Sequence, residues 1–268
     1  MLPALYNMQL SGKSEEKMSA VGGFPSTPEF TGSINYSGVS QQYDTTIVPV
    51  QFADGFQVER ALYDDDLYQI FSSKPKGLAL GAFTRREEDG ASLFVNAFNT
   101  SVFTGGDGLS LCNSAHTSNT PGVSTQSNTS TSALSQTTVE AARIAMGKFR
   151  NWEGKIINIV PDLLLVSIDL EQTAWEIIAS KGKVETANNN ANFHFGRYKL
   201  AIWKYLSSAT DWFMLSTILM MMSLYWFDRI PLEFNQDVSF NTYIKLWSCY
   251  MRYGFGFNDY RWIRGADV

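Results

Sequence analysis

The sequence predicts an α+β fold, in which one long helix precedes shorter helices and a set of strands. Apolar residues at positions 91, 94, 95 and 98 have the i, i+3, i+4, i+7 spacing of one helical face. Two shorter helical patterns begin at Thr137 and Asp169. Short apolar runs, such as residues 163–168, are typical of strands in the middle of a sheet.

The composition indicates a globular protein with an unusually neutral surface. The chain has 268 residues, of which 44% are hydrophobic and 18% are charged, below the usual quarter. This suits a protein whose faces are covered by neighbouring copies, although a monomer rich in Ser, Thr and Asn would have the same composition. The net charge of −5 disfavours direct DNA binding, because little surface is available to neutralise phosphates.

The first hundred residues predict an arm, a hairpin and a long helix. Residues 1–43 are rich in Gly, Ser and Pro and predict an extended arm. Two apolar runs within residues 45–62 flank Asp54-Gly55, and this pattern predicts a β-hairpin that turns at the Asp-Gly pair. The acidic residues 64–66 favour a helix start, and the helix is expected to run from Asp66 to Phe98 with an interruption at Pro75.

The remainder predicts a polar loop followed by a mixed domain. Residues 105–136 predict an exposed loop, and Thr137 with Glu140 predicts a capping box for the next helix. Strands are expected at residues 156–160 and 163–168, and then a helix from Asp169 that Gly182 ends. The apolar run 212–227 would span about 24 Å as a helix, too short for a bilayer core, and therefore predicts buried core and no membrane contact.

The sequence contains only weak candidates for catalytic residues. Cys112 and His116 are four residues apart and could form a thiolate–imidazolium pair, but their polar loop offers no orienting group. The carboxylates at 64–66 and 87–89 are expected on solvated helix surfaces or at caps. Residues 11–14 (Ser-Gly-Lys-Ser) match the end of a phosphate-binding loop, but Asn7 stands where that motif requires its first glycine. We therefore expect no catalytic residues, no cofactor, no metal site and two free thiols, Cys112 and Cys249.

Four stretches of the sequence are distinctive: LYDDDLY (62–68), FVNAFN (94–99), FTGGDGLSLCNSAH (103–116) and YGFGFNDYRWIRG (253–265). They resemble segments of the major head subunits of Mu-type tailed bacteriophages. The resemblance covers roughly residues 43–268, and its pieces follow the family order.

The resemblance implies a Hong Kong 97-type capsid fold. The expected parts are an N-terminal arm (1–43), an extension loop (44–62), a peripheral domain with a spine helix and a polar loop (63–155) and an axial domain with the C-terminal strands (156–268), partly interleaved with the peripheral domain. Because the extension loop of such shells lies over a neighbouring subunit, Phe52, Phe56 and Val58 are expected to be intersubunit contacts.

The implied function is that of a shell protein. Copies would assemble into rings of five and six around double-stranded DNA, without sequence-specific binding, and with portal, scaffold and possible decoration proteins as partners. The N-terminus has no signal-peptide pattern, so synthesis is expected in the bacterial host cytoplasm and the final location in the virion capsid. Residues 31–62 contain no lysine, which argues against covalent crosslinking through this loop. A scaffold is expected to be a separate protein, unless processing has already removed a scaffolding region.

The sequence is also compatible with three other functions. An encapsulin-like compartment shell would share the fold but enclose enzymes. An enzyme that uses Cys112 and His116 would stay monomeric and lose its activity on Cys112→Ala. A β-rich binding or adhesin module would be a soluble monomer with an available ligand surface.

Overall fold

The computed structural model describes residues 1–21, 27, 29–34, 36, 41–65, 70–182 and 190–268. It confirms the α+β class. In chain order the elements are α1 Leu2–Leu5, β1 Asn7–Leu10, β2 Glu16–Val21, β3 Gln41–Ile47, β4 Val50–Val58, α2 Arg60–Asp64, α3 Ile70–Val95, β5 Thr129–Ser130, α4 Gln136–Gly147, β6 Leu163–Val166, a 3-10 turn Ile168–Leu170, α5 Glu171–Ala179, β7 Lys199–Ile202, β8 Trp212–Leu215, α6 Thr217–Ser223, β9 Leu224–Val238, β10 Lys245–Phe257 and β11 Ile263–Ala266.

The long helix α3 packs on a four-stranded sheet of order β1-β9-β10-β4. Trp226 of β9 and Tyr253 of β10 stack at 4.6 Å and are both buried. Asp89 of α3 accepts a hydrogen bond from Tyr253 Oη at 2.6 Å. Aromatic stacking and this polar contact together hold the helix across the sheet.

The predicted long helix is confirmed over the part that the structure describes. Its expected start at Asp66 lies outside the described residues, and Pro75 lies inside the helix. The helix ends at Val95, a few residues before the predicted end. The amides of Ala97 and Asn99 bond three residues back, to Phe94 and Asn96, so that the last turns tighten.

The second sheet has the order β5-β11-β8-β6-β7 and is buried on both faces of its central strands. Leu163, Leu165, Phe213 and Leu215 face the core shared with α3, whereas Leu164, Val166, Trp212 and Met214 pack on α4 and α5. Both faces require apolar side chains, which explains the unbroken runs Leu-Leu-Leu-Val and Trp-Phe-Met-Leu.

The predicted hairpin over residues 45–62 is wrong. Asp54 and Gly55 lie within β4, which pairs along its whole length with β10. A Cβ on Gly55 would lie 2.7 Å from the Trp247 carbonyl oxygen, so the glycine permits a close strand approach and makes no turn. The hairpin that does form joins β2 to β3, with residues 22–40 between the two strands.

The polar loop over residues 105–136 is also less exposed than predicted. Leu111, Cys112, His116 and Asn128 are buried, and β5 joins the second sheet. The Asn128 side chain accepts from the Asn113 amide and donates to the Leu111 carbonyl. Polar side chains therefore add to the few backbone hydrogen bonds of this segment and hold it against the core.

Three local predictions need correction. The capping box of α4 uses Ser135 and Thr138, because the Ser135 side chain reaches the Thr138 amide and Thr138 bonds back to the Ser135 amide. Residues 156–160 form no strand, since only residue 156 makes an isolated bridge. Helix α5 ends at Ala179, and its Ile178 carbonyl accepts from the amide of Gly196, a left-handed residue, so Gly182 is not its cap.

The two sheets do not divide the chain at residue 155. Strands β9 and β10, from the last fifty residues, complete the sheet under α3, whereas β5 from the first half belongs to the second sheet. The division is interleaved because strand pairing joins segments far apart in the sequence. Within the described ranges, no helix is both long and apolar enough to cross a membrane.

Candidate assembly surfaces

The three side chains predicted to contact a neighbouring subunit lie on β4 and touch their own chain. Phe52 stacks on Tyr253 at 4.7 Å, and Phe56 stacks on Trp247 at 4.9 Å. Both phenyl rings are half-buried, whereas Val58 is buried. The two rings keep part of their surface free, so β4 places them at the accessible edge of the four-stranded sheet.

Cys112 and His116, the two residues of the candidate thiolate–imidazolium pair, have different environments. The Cys112 sulfur lies against Gly265, and burial raises the pKa of its thiol well above the ordinary range. His116 Nδ1 lies 2.6 Å from Asp107 Oδ2, and its ring stacks at 3.6 Å on Tyr260. This arrangement stabilises a neutral, unreactive thiol and an imidazole that is fixed by its neighbours.

The carboxylates at 87–89 are less solvated than predicted, because two of them join elements. Glu87 accepts from Trp203 Nε1 at 3.0 Å and from the Leu2 amide. Asp89 binds Tyr253 and Arg85. Glu88 is exposed, as expected. Among the described residues, no three His, Cys, Asp or Glu side chains are grouped to hold a metal ion.

Many large apolar side chains are exposed in the single chain, and three stretches carry several of them. These stretches are the segment between the strands of the β2–β3 hairpin (Phe30, Ile34, Tyr36), the outer part of the β9–β10 arm (Phe234, Val238, Phe240, Tyr243, Leu246) and the second domain, defined as the second sheet with α4, α5 and their connections (Ile156, Val160, Ile168, Trp175). Isolated exposed apolar residues are ordinary, but grouped ones on projecting elements indicate contact surfaces.

The β9–β10 arm is the surface that the sequence prediction missed. Its two strands pair out to Val238 and Lys245, and Tyr243 adopts φ 54° in the connecting turn. Phe240 at the tip is 93% exposed. The signal in the sequence was the pair of strand patterns that flank a short Ser-Phe-Asn-Thr segment at residues 239–242.

A family model described as phage capsid protein matches residues 42–265, most of the chain. The chain belongs to the phage capsid protein family. This capsid protein is thus a structural shell subunit of a phage head. No curated protein sequence matches it.

Solved capsid structures share the fold of this capsid protein at low sequence identity. The capsid of the cyanophage P-SCSP1u is 10% identical, with a TM-score of 0.68 over 98% of this chain and 86% of that chain. The capsid of a native GTA particle is 14% identical, with a TM-score of 0.62 over 98% and 87%. The capsid of Ralstonia phage GP4 is 10% identical, with a TM-score of 0.61 over 98% and 88%.

Proposed function

We propose that this capsid protein is the major head subunit of a Mu-type tailed phage and closes into an icosahedral shell of five- and six-membered rings around double-stranded DNA. The observation that carries the proposal is the set of apolar side chains on two projecting hairpins, most of all Phe240. Repeated contacts of modest strength, arranged with closed symmetry, add up to a stable assembly.

The domains of the Hong Kong 97-type fold correspond to the two sheets and not to continuous residue ranges. Helix α3 with the four-stranded sheet corresponds to the spine helix and peripheral domain, and the five-stranded sheet with α4 and α5 corresponds to the axial domain. The β2–β3 hairpin with residues 22–40 is the extension loop, in place of residues 44–62. This assignment is supported by the pairing of β4 with β10 along its full length, because a strand paired in this way is part of the sheet and does not form a loop.

The intersubunit contact proposed for β4 involves the exposed parts of two rings. Phe52 stacks on Tyr253 and also lies under the Arg85 guanidinium, whereas Phe56 stacks on Trp247. Both rings remain partly exposed in the single chain. Val58 supports this edge from within, since it is buried in the single chain. A neighbour that covers both rings would remove further apolar surface from water at about 25 cal/mol per Å².

The shell encloses DNA without sequence-specific binding and acts without catalysis or a cofactor. The net charge of −5 supports this, because a wall that gripped phosphates would slow packing and release. Portal, scaffold and possible decoration proteins are the proposed partners, and host cytoplasm is the proposed site of synthesis. Residues 22–62 contain no lysine, and Lys17 of β2 pairs with Asp44 of β3 in its own hairpin, so shells are expected to hold without covalent crosslinks from the extension loop.

Negative-stain electron microscopy with sedimentation tests the proposal. The chain is expressed alone and with its neighbouring genes. Closed shells, or rings of five and six, are expected, and the shells should dissociate into single chains on a denaturing gel. A monomer under every condition contradicts the proposal. Shells that copurify with an enzyme cargo, without portal protein and DNA, identify a compartment shell instead.

A further inference from the structure

The loop of residues 105–120 packs directly against β3 of the β2–β3 hairpin. A Cβ on Gly106 would lie 2.6 Å from the Tyr43 Cβ, so the loop backbone touches the strand. The Gln42 side chain donates to Thr120 and accepts from the amide of residue 119, both at 3.1 Å. Tyr43 Oη bonds Thr117 Oγ1 at 2.8 Å. We name residues 105–120 the clamp loop.

The hairpin has a second point of attachment at the other end of β3. Ile47 is buried, and a Cβ on Gly254 or Gly256 of β10 would lie 2.9 or 3.0 Å from its side chain. Between Gln42 and Ile47 an extended strand spans roughly 17 Å. A rigid hairpin held at one point can pivot, whereas two points this far apart fix its direction.

The clamp loop is itself held closed by a buried polar pair. His116 Nδ1 and Asp107 Oδ2 are 2.6 Å apart, and the two side chains are 0% and 6% exposed. The His116 ring lies on Tyr260 with an interplanar angle of 6°. Asp107 also accepts from the Leu109 amide, which shapes the turn after Gly106. Removing His116 would leave the buried Asp107 Oδ2 without this partner, and removing Asp107 would leave the buried His116 Nδ1 without one, so loss of either side chain should be unfavourable.

The same region connects the clamp loop to the C-terminal segment. Arg261 follows Tyr260 and lies 3.7 Å from the centre of the Trp152 ring. The Trp152 ring in turn makes an edge contact with Tyr43 at 6.0 Å. Thus both the clamp loop and Trp152 contact β3, and both also contact the C-terminal segment. His116 lies at the contact between the clamp loop and that segment, through its stacking on Tyr260.

We infer that the Asp107–His116 pair positions the extension loop: it keeps the clamp loop closed on β3 and thereby sets the direction in which the β2–β3 hairpin leaves the subunit. This inference rests on the proposed function, because the direction matters only where the hairpin reaches a neighbour. The apolar side chains Phe30, Ile34 and Tyr36 belong to the segment that connects the two strands of this hairpin, and they are exposed. A change in their direction changes the angle between subunits, and therefore the curvature and size of the shell.

The first test measures the hairpin in subunits separated from shells by sedimentation. His116→Phe keeps a ring over Tyr260 but removes the bond to Asp107. His194→Phe is the matched control, since His194 is also a buried histidine but packs on Tyr198 in the second domain. Spin labels on Gln41→Cys and Gln172→Cys report the distance from hairpin to body, and the buried Cys112 and Cys249 stay unlabelled.

We expect a single narrow distribution of the distance between the two labels in the parent and in His194→Phe. In His116→Phe this distribution should become broad. Hydrogen exchange of the β3 amides should accelerate about tenfold, the factor expected for one lost hydrogen bond. Asp107→Asn keeps an oxygen acceptor for His116 and should give an intermediate width. An unchanged width in His116→Phe overturns the inference.

A milder variant serves where His116→Phe does not fold. Tyr43→Phe removes only the hydrogen bond to Thr117 and should slightly broaden the distribution of label distances.

The sizes of the assembled shells distinguish a failure of this inference from a failure of the proposed function. Mixed shell sizes from His116→Phe, with uniform shells from His194→Phe, support the clamp. Uniform shells from both overturn the clamp but leave the capsid function standing, and a parent that forms no shells overturns the capsid proposal itself.

Discussion

Arg86 of α3 donates two hydrogen bonds to Asp228 of β9, at 3.0 and 2.9 Å, and so fastens the long helix to the four-stranded sheet. Both side chains are nearly buried, at 12% and 14% exposure. The Arg86 guanidinium also lies over the Trp226 and Tyr253 rings, and Asp228 accepts from Trp226 Nε1. The charge pair is therefore part of an aromatic core and not a surface ion pair.

Removing one member of this pair should destabilise the subunit strongly. Arg86→Met leaves the Asp228 carboxylate buried with fewer donors, and we expect a loss of about 3 kcal/mol in the free energy of unfolding. Denaturant unfolding of unassembled subunits measures it. Arg60→Met is the control, because the Arg60–Asp64 pair is largely exposed and should contribute little. Equal losses of stability in both variants would contradict the prediction that the buried pair stabilises the subunit more than the exposed pair does.

The stability of the second domain should fall in mild acid because of His194. Burial lowers the pKa of His194, and the Glu140 carboxylate 3.9 Å away only partly opposes this. The unfolded chain binds the proton more readily, so the contribution is complete above the ordinary histidine pKa of about 6.5 and is lost as pH falls through the lower folded-state pKa.

Unfolding midpoints at a series of pH values from neutral to mildly acidic test this, and His194→Phe should flatten the dependence. The other ionisable groups of this cluster are Glu140, Arg143, Arg197 and Tyr198. Glu140 has a lowered pKa, so its contribution is lost only at more acidic pH. An unchanged slope in His194→Phe would contradict the assignment.

Two glycines should respond in opposite directions to alanine. A Cβ on Gly265 would lie 2.8 Å from both the Cys112 sulfur and the Phe98 ring, so Gly265→Ala should cost about 1–3 kcal/mol. Gly81 is exposed in α3 with open space around it, and Gly81→Ala should stabilise by about 0.5–1 kcal/mol. Thermal unfolding of unassembled subunits measures both. A stable Gly265→Ala would show that this contact relaxes freely.

The two cysteines should be unreactive in the folded subunit. Both are buried, and burial raises the pKa of the Cys112 thiol. A thiol-reactive dye should label neither residue in the native state and both after denaturation. Cys112→Ala should still assemble, because the proposed function uses no nucleophile. Rapid native labelling of Cys112, or loss of function in a well-folded Cys112→Ala variant, would support the enzyme alternative.

The tip of the β9–β10 arm should be needed for assembly but not for folding. Phe240→Glu places a charge on a side chain with few contacts in the single chain, so subunit stability should change by less than about 0.5 kcal/mol. Burying that charge against a neighbour would be unfavourable, and shells should fail to form. Asn241→Glu adds the same charge at the adjacent exposed position as the control. Normal shells from Phe240→Glu would exclude the tip from the interface.

The sequence by itself determined those helices and strands whose pattern of apolar residues shows which of their faces are buried. The face of α3 that includes Ala91 and Phe94 follows from its spacing, and the buried runs of β6 and β8 follow from their unbroken apolar character. The segments from Leu62 to Gly265 also carried the resemblance to phage head subunits, which the family match confirmed at the level of a phage capsid protein.

Tertiary structure alone decided which strands pair and which polar residues are buried. Asp54-Gly55 reads equally well as a turn or as a close strand approach, and β10, from the other end of the chain, selected the second. His116 looked like a residue of an exposed loop until Asp107 and Tyr260 enclosed it. Local patterns report a residue's own preferences, whereas strand partners and buried polar contacts are set by residues distant in sequence, whose free energy appears only when the chain is folded.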